Sequence, residues 1–418
     1  MLSSKVIVVF CDGTAMDGVL ADPGAAVSPE PASKDEKQYL ASNVLRLSRA
    51  IREHSADGSK AQIVYYQSGV ASFSDFNGEA GNLNVSSFVA ATGTAVASKI
   101  RDVYAFIAQN YAEGDEIALF GFSRGSYTVR KVAGLIDRIG ILTRENLGKF
   151  FSIWLDLMKG RDLHLPPDTR SAKIKLVAVF DTVGSVMGNE NALNINDTHL
   201  PDCVDNAIHA VAIHENRRTF LSTLWAEPPN GLREGQVLKQ VWFSGNHSDV
   251  AGYYGKRHEL GDIALHWMVG EIKDLLNIDL EFIAKIAQSN PEAWGTSQPH
   301  SSYGDLGNSY SRFLFGHKTR LQDGQITKDS IFHQSFQFSP DMNVPETPLD
   351  MVCMEALKAK FGADWEPTYA PLNEYEQKMK DNWGNLFGAE DAGVAAFDDV
   401  DLGEEDLESF SEFIAKAG

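Results

Sequence analysis

The chain has 418 residues, of which 43% are hydrophobic, and 57 acidic side chains against 37 basic ones give it a formal net charge of −20. Such a balance excludes a nucleic-acid partner and disfavours an anionic membrane surface. The apolar content suffices for a large core, and the length suits one large α/β domain with insertions.

Met1-Leu-Ser-Ser-Lys5 runs directly into a strand with no apolar signal segment. The β-branched run Val6 to Phe10 predicts a central strand, and Asp12-Gly13-Thr14 follows its end. Residues 17–38 are rich in Pro, Ala, Asp and Ser and read as a surface loop. Val44, Leu47 and Ile51 give helical spacing over Asn43 to Glu53, and Ile63 to Tyr66 predicts a second strand. Residues 67–94 are dense in Gly, Ser and Asn but contain Phe73, Phe76, Leu83 and Phe88. They are expected to form a long loop, with Phe73 and Phe76 as a lid or pocket wall. Val96, Ile100, Val103, Tyr104 and Ile107 mark an amphipathic helix ending near Tyr111.

The most informative stretch comes next. Ile117 to Phe122 is a short apolar run suited to a buried strand, and Val129, Val132, Ala133 and Ile136 return to helical spacing. Between them lies Gly121-Phe122-Ser123-Arg124-Gly125. This G-x-S-x-G sits between strand and helix, the setting of a nucleophile elbow. Ile174 to Phe180 predicts another strand, ending in Asp181. Ala207 to Phe220 is expected to be helical, with His209 and His214 in structural roles. Val241 to Phe243 predicts a strand, ending in Ser244-Gly-Asn-His247-Ser-Asp249. A helix follows over Leu265 to Leu276. Beyond about residue 280 the periodicity is poor. Residues 389–418 hold ten acidic residues and one lysine, and are expected to form an acidic tail after a catalytic domain spanning 1–388. Glu404 to Ala415 is expected to form a short helix within it.

Strands alternating with helices predict an α/β-hydrolase-like fold, a mostly parallel sheet covered on both faces. Ligands bind such sheets at the carboxyl ends of the strands, where Asp12, Ser123, Asp181 and His247 all fall. A serine hydroxyl needs a base, and the base needs a carboxylate to orient it. His247 is the base best placed by chain position. Asp181 is preferred over Asp249 as the acid, because Asp249 lies only two residues from His247. The N–H of Arg124 is the expected first oxyanion donor, with the second from Gly13 or Thr14. Asp12 and Asp249 are possible supporting groups. A metal site built from Asp12, Asp181, His247 and Asp249 is the rival enzyme reading, and a non-catalytic scaffold is the rival from another class. The Asp-x-Asp-Gly-Thr nucleophile of certain phosphatases is missing, since Phe10 stands at its first position. Cys11, Cys203 and Cys353 are odd in number and widely spaced, and read as free buried thiols of a reducing compartment. No run of eighteen apolar residues exists, so a cytoplasmic protein without a membrane anchor is expected. The oligomeric state is encoded in none of these features.

The chain resembles the DUF2235 family, α/β hydrolases that include the Tle1-like catalytic domain of type VI secretion phospholipase effectors. The resemblance rests on Val8-Val-Phe-Cys-Asp-Gly-Thr14, Tyr111 to Ile117 leading into Gly121-Phe-Ser-Arg-Gly125, and Val179-Phe-Asp-Thr-Val-Gly184. It continues through His209 to Arg218, Trp242 to Val250 and Asp262 to Met268, with fainter echoes at Phe332 to Ser335 and Tyr369 to Pro371. It implies a serine hydrolase acting on small-molecule or lipid esters through Ser123, His247 and Asp181, with no metal or organic cofactor. The chain departs from the family at Ala15-Met16, at Tyr66-Gln-Ser-Gly-Val70 and at Ala251-Gly-Tyr-Tyr254, which flank the expected site mouth and bear on substrate identity.

Overall fold

A parallel strand pair needs a crossover that lays a helix back on the sheet, and the sequence supplies strand-length apolar runs separated by such helices. The structure, a computed structural model, describes residues 4–14, 16, 18, 41–70, 85–184, 199–252, 259–286, 291–304, 306, 309–339 and 352–384, with main chain alone at 85–94 and 310. The first half of the described chain runs β1 (Lys5–Cys11), α1 (Asn43–Ala50), β2 (Ala61–Gln67), α2 (Val85–Asn110), β3 (Glu116–Phe122), α3 (Arg124–Ile139), α4 (Phe150–Met158), β4 (Ile174–Phe180) and β5 (Val204–Ala212). The second half runs β6 (Val237–Phe243), α5 (His247–Val250), α6 (Glu259–Ile272), α7 (Leu280–Lys285), α8 (Ser309–Phe315), α9 (Arg320–Asp323), β7 (Ile331–Phe332), α10 (Met354–Phe361), β8 (Thr368–Tyr369) and α11 (Glu374–Asp381).

The strands form one sheet in the order β2-β1-β3-β4-β5-β6-β7-β8, and every pairing between them is parallel. The fold is α/β and α/β-hydrolase-like. Alternate side chains of each central strand enter opposite cores, as a sheet buried on both faces requires. Ile7, Val9, Leu119, Val177 and Val179 pack under α2 and α3. Val8, Phe10, Phe120, Ala178 and Phe180 pack under α1 and α6. In the β1–β3 register Phe10 lies opposite Phe120, and their rings stack with centroids 4.6 Å apart. A third cluster of Val211, Trp242, Leu321, Phe332, Phe336 and Leu357 fixes the β7–β8 edge.

Several expectations change. Ala207 to Phe220 is not a helix: Val204–Ala212 is strand β5, inside the sheet between β4 and β6. A strand buried on both faces has a continuous apolar run, which periodicity cannot tell from a buried helix. The expected loop 67–94 is cut short, because α2 begins at Val85 and carries Phe88. Phe73, Phe76 and Leu83, the proposed lid aromatics among them, lie outside the described residues, as do the acidic tail and its expected helix. The three cysteines are unpaired, with Cys11 and Cys203 buried and Cys353 only half-buried at the start of α10. Among the described residues no helix is long and apolar enough to cross a membrane.

Candidate active site

The chain passes from β1 to β2 on one side and then crosses back through α2 to β3 on the other side of β1, so the strand order reverses between β1 and β3. At such a switch point the loops diverge and open a crevice at the carboxyl ends of the strands. Asp12, Ser123, Asp181 and His247 follow β1, β3, β4 and β6 there.

Ser123 sits between β3 and α3 with φ 57° and ψ −123°. Holding a serine in this region costs of order 1–3 kcal/mol, and the surrounding structure must over-determine it. Its N–H donates to the Phe180 carbonyl at 3.2 Å, and its own carbonyl accepts from Val183 N–H at 3.3 Å. The elbow glycines are steric requirements. A Cβ on Gly125 would lie 2.0 Å from the Cys11 carbonyl oxygen, and one on Gly121 would lie 2.6 Å from the backbone of Ser126. Among the described residues only Ser123 and Asp181 are non-glycines with positive φ. Asp181 directly follows β4 with φ 37°.

His247 opens α5, which Asn246 caps through Ser248 and Asp249 N–H groups at 2.9 Å. His247 Nε2 lies 2.8 Å from Ser123 Oγ, and Nδ1 lies 2.6 Å from Asp181 Oδ2. All three side chains are buried. An ionised carboxylate only accepts, so the imidazole proton belongs on Nδ1 and the lone pair on Nε2 faces the serine. Burial pushes the His247 pKa down, and its hydrogen bond to Asp181 works against that. Burial would raise the Asp181 carboxyl, but the Arg320 charge and the His247 hydrogen bond outweigh it and hold it well below the usual carboxylate range.

The other predicted residues separate by role. Asp249 points away from His247: it accepts from Asn246 N–H at 2.8 Å and from His300 N–H at 3.0 Å, and lies 2.6 Å from His300 Nδ1. Asp12 accepts from Gly13 N–H, Ser42 Oγ and Tyr66 Oη, each at 2.7 Å. The Gly13 N–H is therefore engaged by a neighbouring carboxylate. Thr14 stays beside the elbow, its hydroxyl accepting from Arg124 Nε. Burial and the nearby Arg217 charge bring the Arg124 guanidinium down to about 10, so it remains a cation at neutral pH. Among the described residues no three His, Cys, Asp or Glu side chains converge on a common metal position.

Two aromatics missed in the sequence flank the imidazole. Phe122 lies 4.7 Å from it between ring centroids, and Phe220 meets it edge-on at 5.1 Å. Arg217 covers the Phe220 ring at 3.6 Å while its guanidinium pairs with Glu215 at 2.8 and 2.9 Å. Arg320 was also missed. Its Nη1 and Nη2 donate to the two oxygens of Asp181 at 2.6 and 2.7 Å. The only trace of it in the sequence is Thr319-Arg-Leu-Gln322, a capping box that marks a helix start but not a buried cation.

A family model described as the type VI secretion system phospholipase effector Tle1-like catalytic domain matches residues 5–271. A curated relative, the uncharacterized protein YEL023C of Saccharomyces cerevisiae, is 26% identical over 210 residues, covering 45% of this chain and 30% of its own length. Two solved structures are similar. A structure of the Tle1 effector bound to the VgrG spike of the type VI secretion system shares 18% identity at a TM-score of 0.32, covering 60% of this chain and 51% of that one. An uncharacterized protein from Pseudomonas aeruginosa shares 16% identity at a TM-score of 0.35, covering 95% and 68%. The chain thus spans only about a third to two thirds of the length of these relatives, and the assignment rests on the family match rather than on these distant likenesses. That match covers well over half of the sequence, and the chain belongs to the family of type VI secretion phospholipase effector Tle1-like catalytic domains.

Proposed function

We propose that the chain is a serine hydrolase that cleaves carboxylic esters, lipid esters among them, through an acyl-enzyme on Ser123. The observation that carries this reading is the contact chain from Ser123 Oγ through His247 to Asp181, at 2.8 and 2.6 Å. On this reading His247 Nε2 takes the Ser123 proton as Oγ bonds to the ester carbonyl carbon and the C=O electron pair moves onto oxygen. The N–H groups of Arg124 and Thr14 are the oxyanion donors, each worth about 3–4 kcal/mol at the transition state. Collapse expels the alcohol, which leaves with the proton from His247. A water then attacks the acyl carbon by the same route, releasing the acid and restoring Ser123. Asp181 stays ionised throughout and stabilises the imidazolium without taking its proton. Phe122 and Phe220 wall the imidazole with apolar surface, and the family description supports lipid esters as the class.

A fluorophosphonate probe tests the reading, because it reacts with an activated serine and not with a scaffold. The wild type is expected to be labelled and to turn over esters in a panel of acyl esters and phospholipids of graded chain length. Ser123→Ala is expected to lose labelling and turnover while keeping the same denaturation midpoint. An unlabelled wild type, or hydrolysis retained in Ser123→Ala, defeats the proposal.

A further inference from the structure

The structure assigns to Arg320 the role of positioning residue for the proposed triad: it clamps Asp181 from outside the family-matched span and keeps the base His247 neutral. The assignment rests on the hydrolase reading for its kinetic consequences, but the pairing itself is independent of catalysis.

The geometry is fully specified. Asp181 Oδ1 accepts from Ala212 N–H at 3.0 Å and from Arg320 Nη1 at 2.6 Å. Its Oδ2 accepts from Arg320 Nη2 at 2.7 Å and faces His247 Nδ1 at 2.6 Å. Both oxygens are doubly engaged, so the carboxylate cannot rotate away from the imidazole. The same guanidinium donates to the carbonyls of Ala212 and Phe220. Phe220 is the aromatic whose ring meets His247 edge-on. One side chain thus braces the acid and the wall beside the base. Arg320 is 0% exposed, and the Thr319–Gln322 capping box fixes it at the first position of α9.

The charge matters as much as the shape. A buried carboxylate with no counter-cation draws a proton onto a neighbouring imidazole. A protonated His247 has no lone pair for Ser123. Arg320 supplies the compensating charge, so Asp181 can orient the ring without charging it. Among the described residues the other charged or titratable groups around His247 and Asp181 are Glu215 and Arg217 after β5, Arg124 on the elbow, the Asp249–His300 pair beside α5, and His209 on β5, whose ring accepts from Thr182 N–H. Glu215 is engaged by Arg217 and Asp249 by His300, so Arg320 is the cation that answers Asp181.

Arg320→Met and Arg320→Lys test the assignment through the acid limb of the pH profile of kcat/KM. In Arg320→Met the midpoint of that limb is expected to rise by about one pH unit or more, because either His247 or Asp181 then takes a proton more readily. Arg320→Lys keeps the charge but not the fork, so its limb is expected to stay near that of the wild type while kcat falls about tenfold or more. A residue that only fills space would lower activity equally at all pH values, and an unmoved limb in Arg320→Met overturns the assignment. A stability measurement decides the pairing if Arg320→Met is too unstable for kinetics. The double variant Asp181→Asn/Arg320→Met removes the orphaned charge and is expected to unfold at a higher denaturant concentration than Arg320→Met alone. A double variant no more stable than the single one also overturns it. Wild-type protein that neither labels nor turns over esters defeats the hydrolase reading instead, and leaves the stability comparison to judge the clamp.

Discussion

Two aspartates compete for one histidine in the sequence, and their surroundings separate them. Asp181 presents one oxygen to His247 Nδ1, while Asp249 spends its carboxylate on Asn246 and His300. Under the proposed mechanism Asp181→Asn should lower kcat by roughly 10⁴-fold, the loss typical when a triad carboxylate is neutralised and the ring adopts the wrong tautomer. Asp249→Asn should cost far less in kcat and show instead as a lower denaturation midpoint. Steady-state kinetics beside denaturant melts of the two variants check this, and the reverse ranking would exchange their roles. That Ser123, Asp181 and His247 lie together was legible because each ends or closely follows an apolar strand run, and such ends gather at one rim of a parallel sheet. Arg320 was not legible. An arginine in an aperiodic stretch reads as surface, and only the tertiary fold makes it buried and paired.

At the scale of elements, the elbow is the joint on which the site depends, and it works by close approach of backbones. β1 ends where α3 begins, and Gly125 is what lets the Cys11 carbonyl pass. Gly125→Ala places a methyl 2.0 Å from that oxygen, against backbone that has nowhere to move. The variant should lose more than about 4 kcal/mol or fail to fold. Denaturant unfolding measures this, and a loss under about 1 kcal/mol would mean that the elbow yields more than its packing implies. The glycine spacing announced this joint in the sequence. β5 was misread for a complementary reason. Its residues from Ala207 to Ala212 are buried without a polar alternation, so the signal that separates strand from helix is missing where a strand is most central. The two-residue strands β7 and β8 are too short to carry any periodic signal.

For the whole molecule, acidity is the condition to which the core is most exposed. Burial brings His209 down to about 3, and His214 and His266 to about 4. His209 is held neutral by accepting from Thr182 N–H, and neither ring nitrogen of His266 has a partner among the described residues. Unfolding releases these rings to the ordinary histidine value near 6.5, so the unfolded chain binds more protons below that pH. The stabilising contribution is fully present above about pH 6.5 and is lost as pH falls toward 4, at up to about 1.4 kcal/mol per pH unit for each ring. The denaturation midpoint should therefore fall steadily across that window, and less steeply in His266→Phe. A midpoint that is flat from pH 6.5 to about 4 would contradict the account. The clamp on Asp181 also has a meaning in time. Chains are made from the N-terminus, so Ser123, Asp181 and His247 all exist before Arg320 does. A nascent chain long enough to hold the three reacting groups still lacks the cation that answers its buried acid. On the proposed reading the hydrolase is born unarmed and matures only when its last third docks against the sheet.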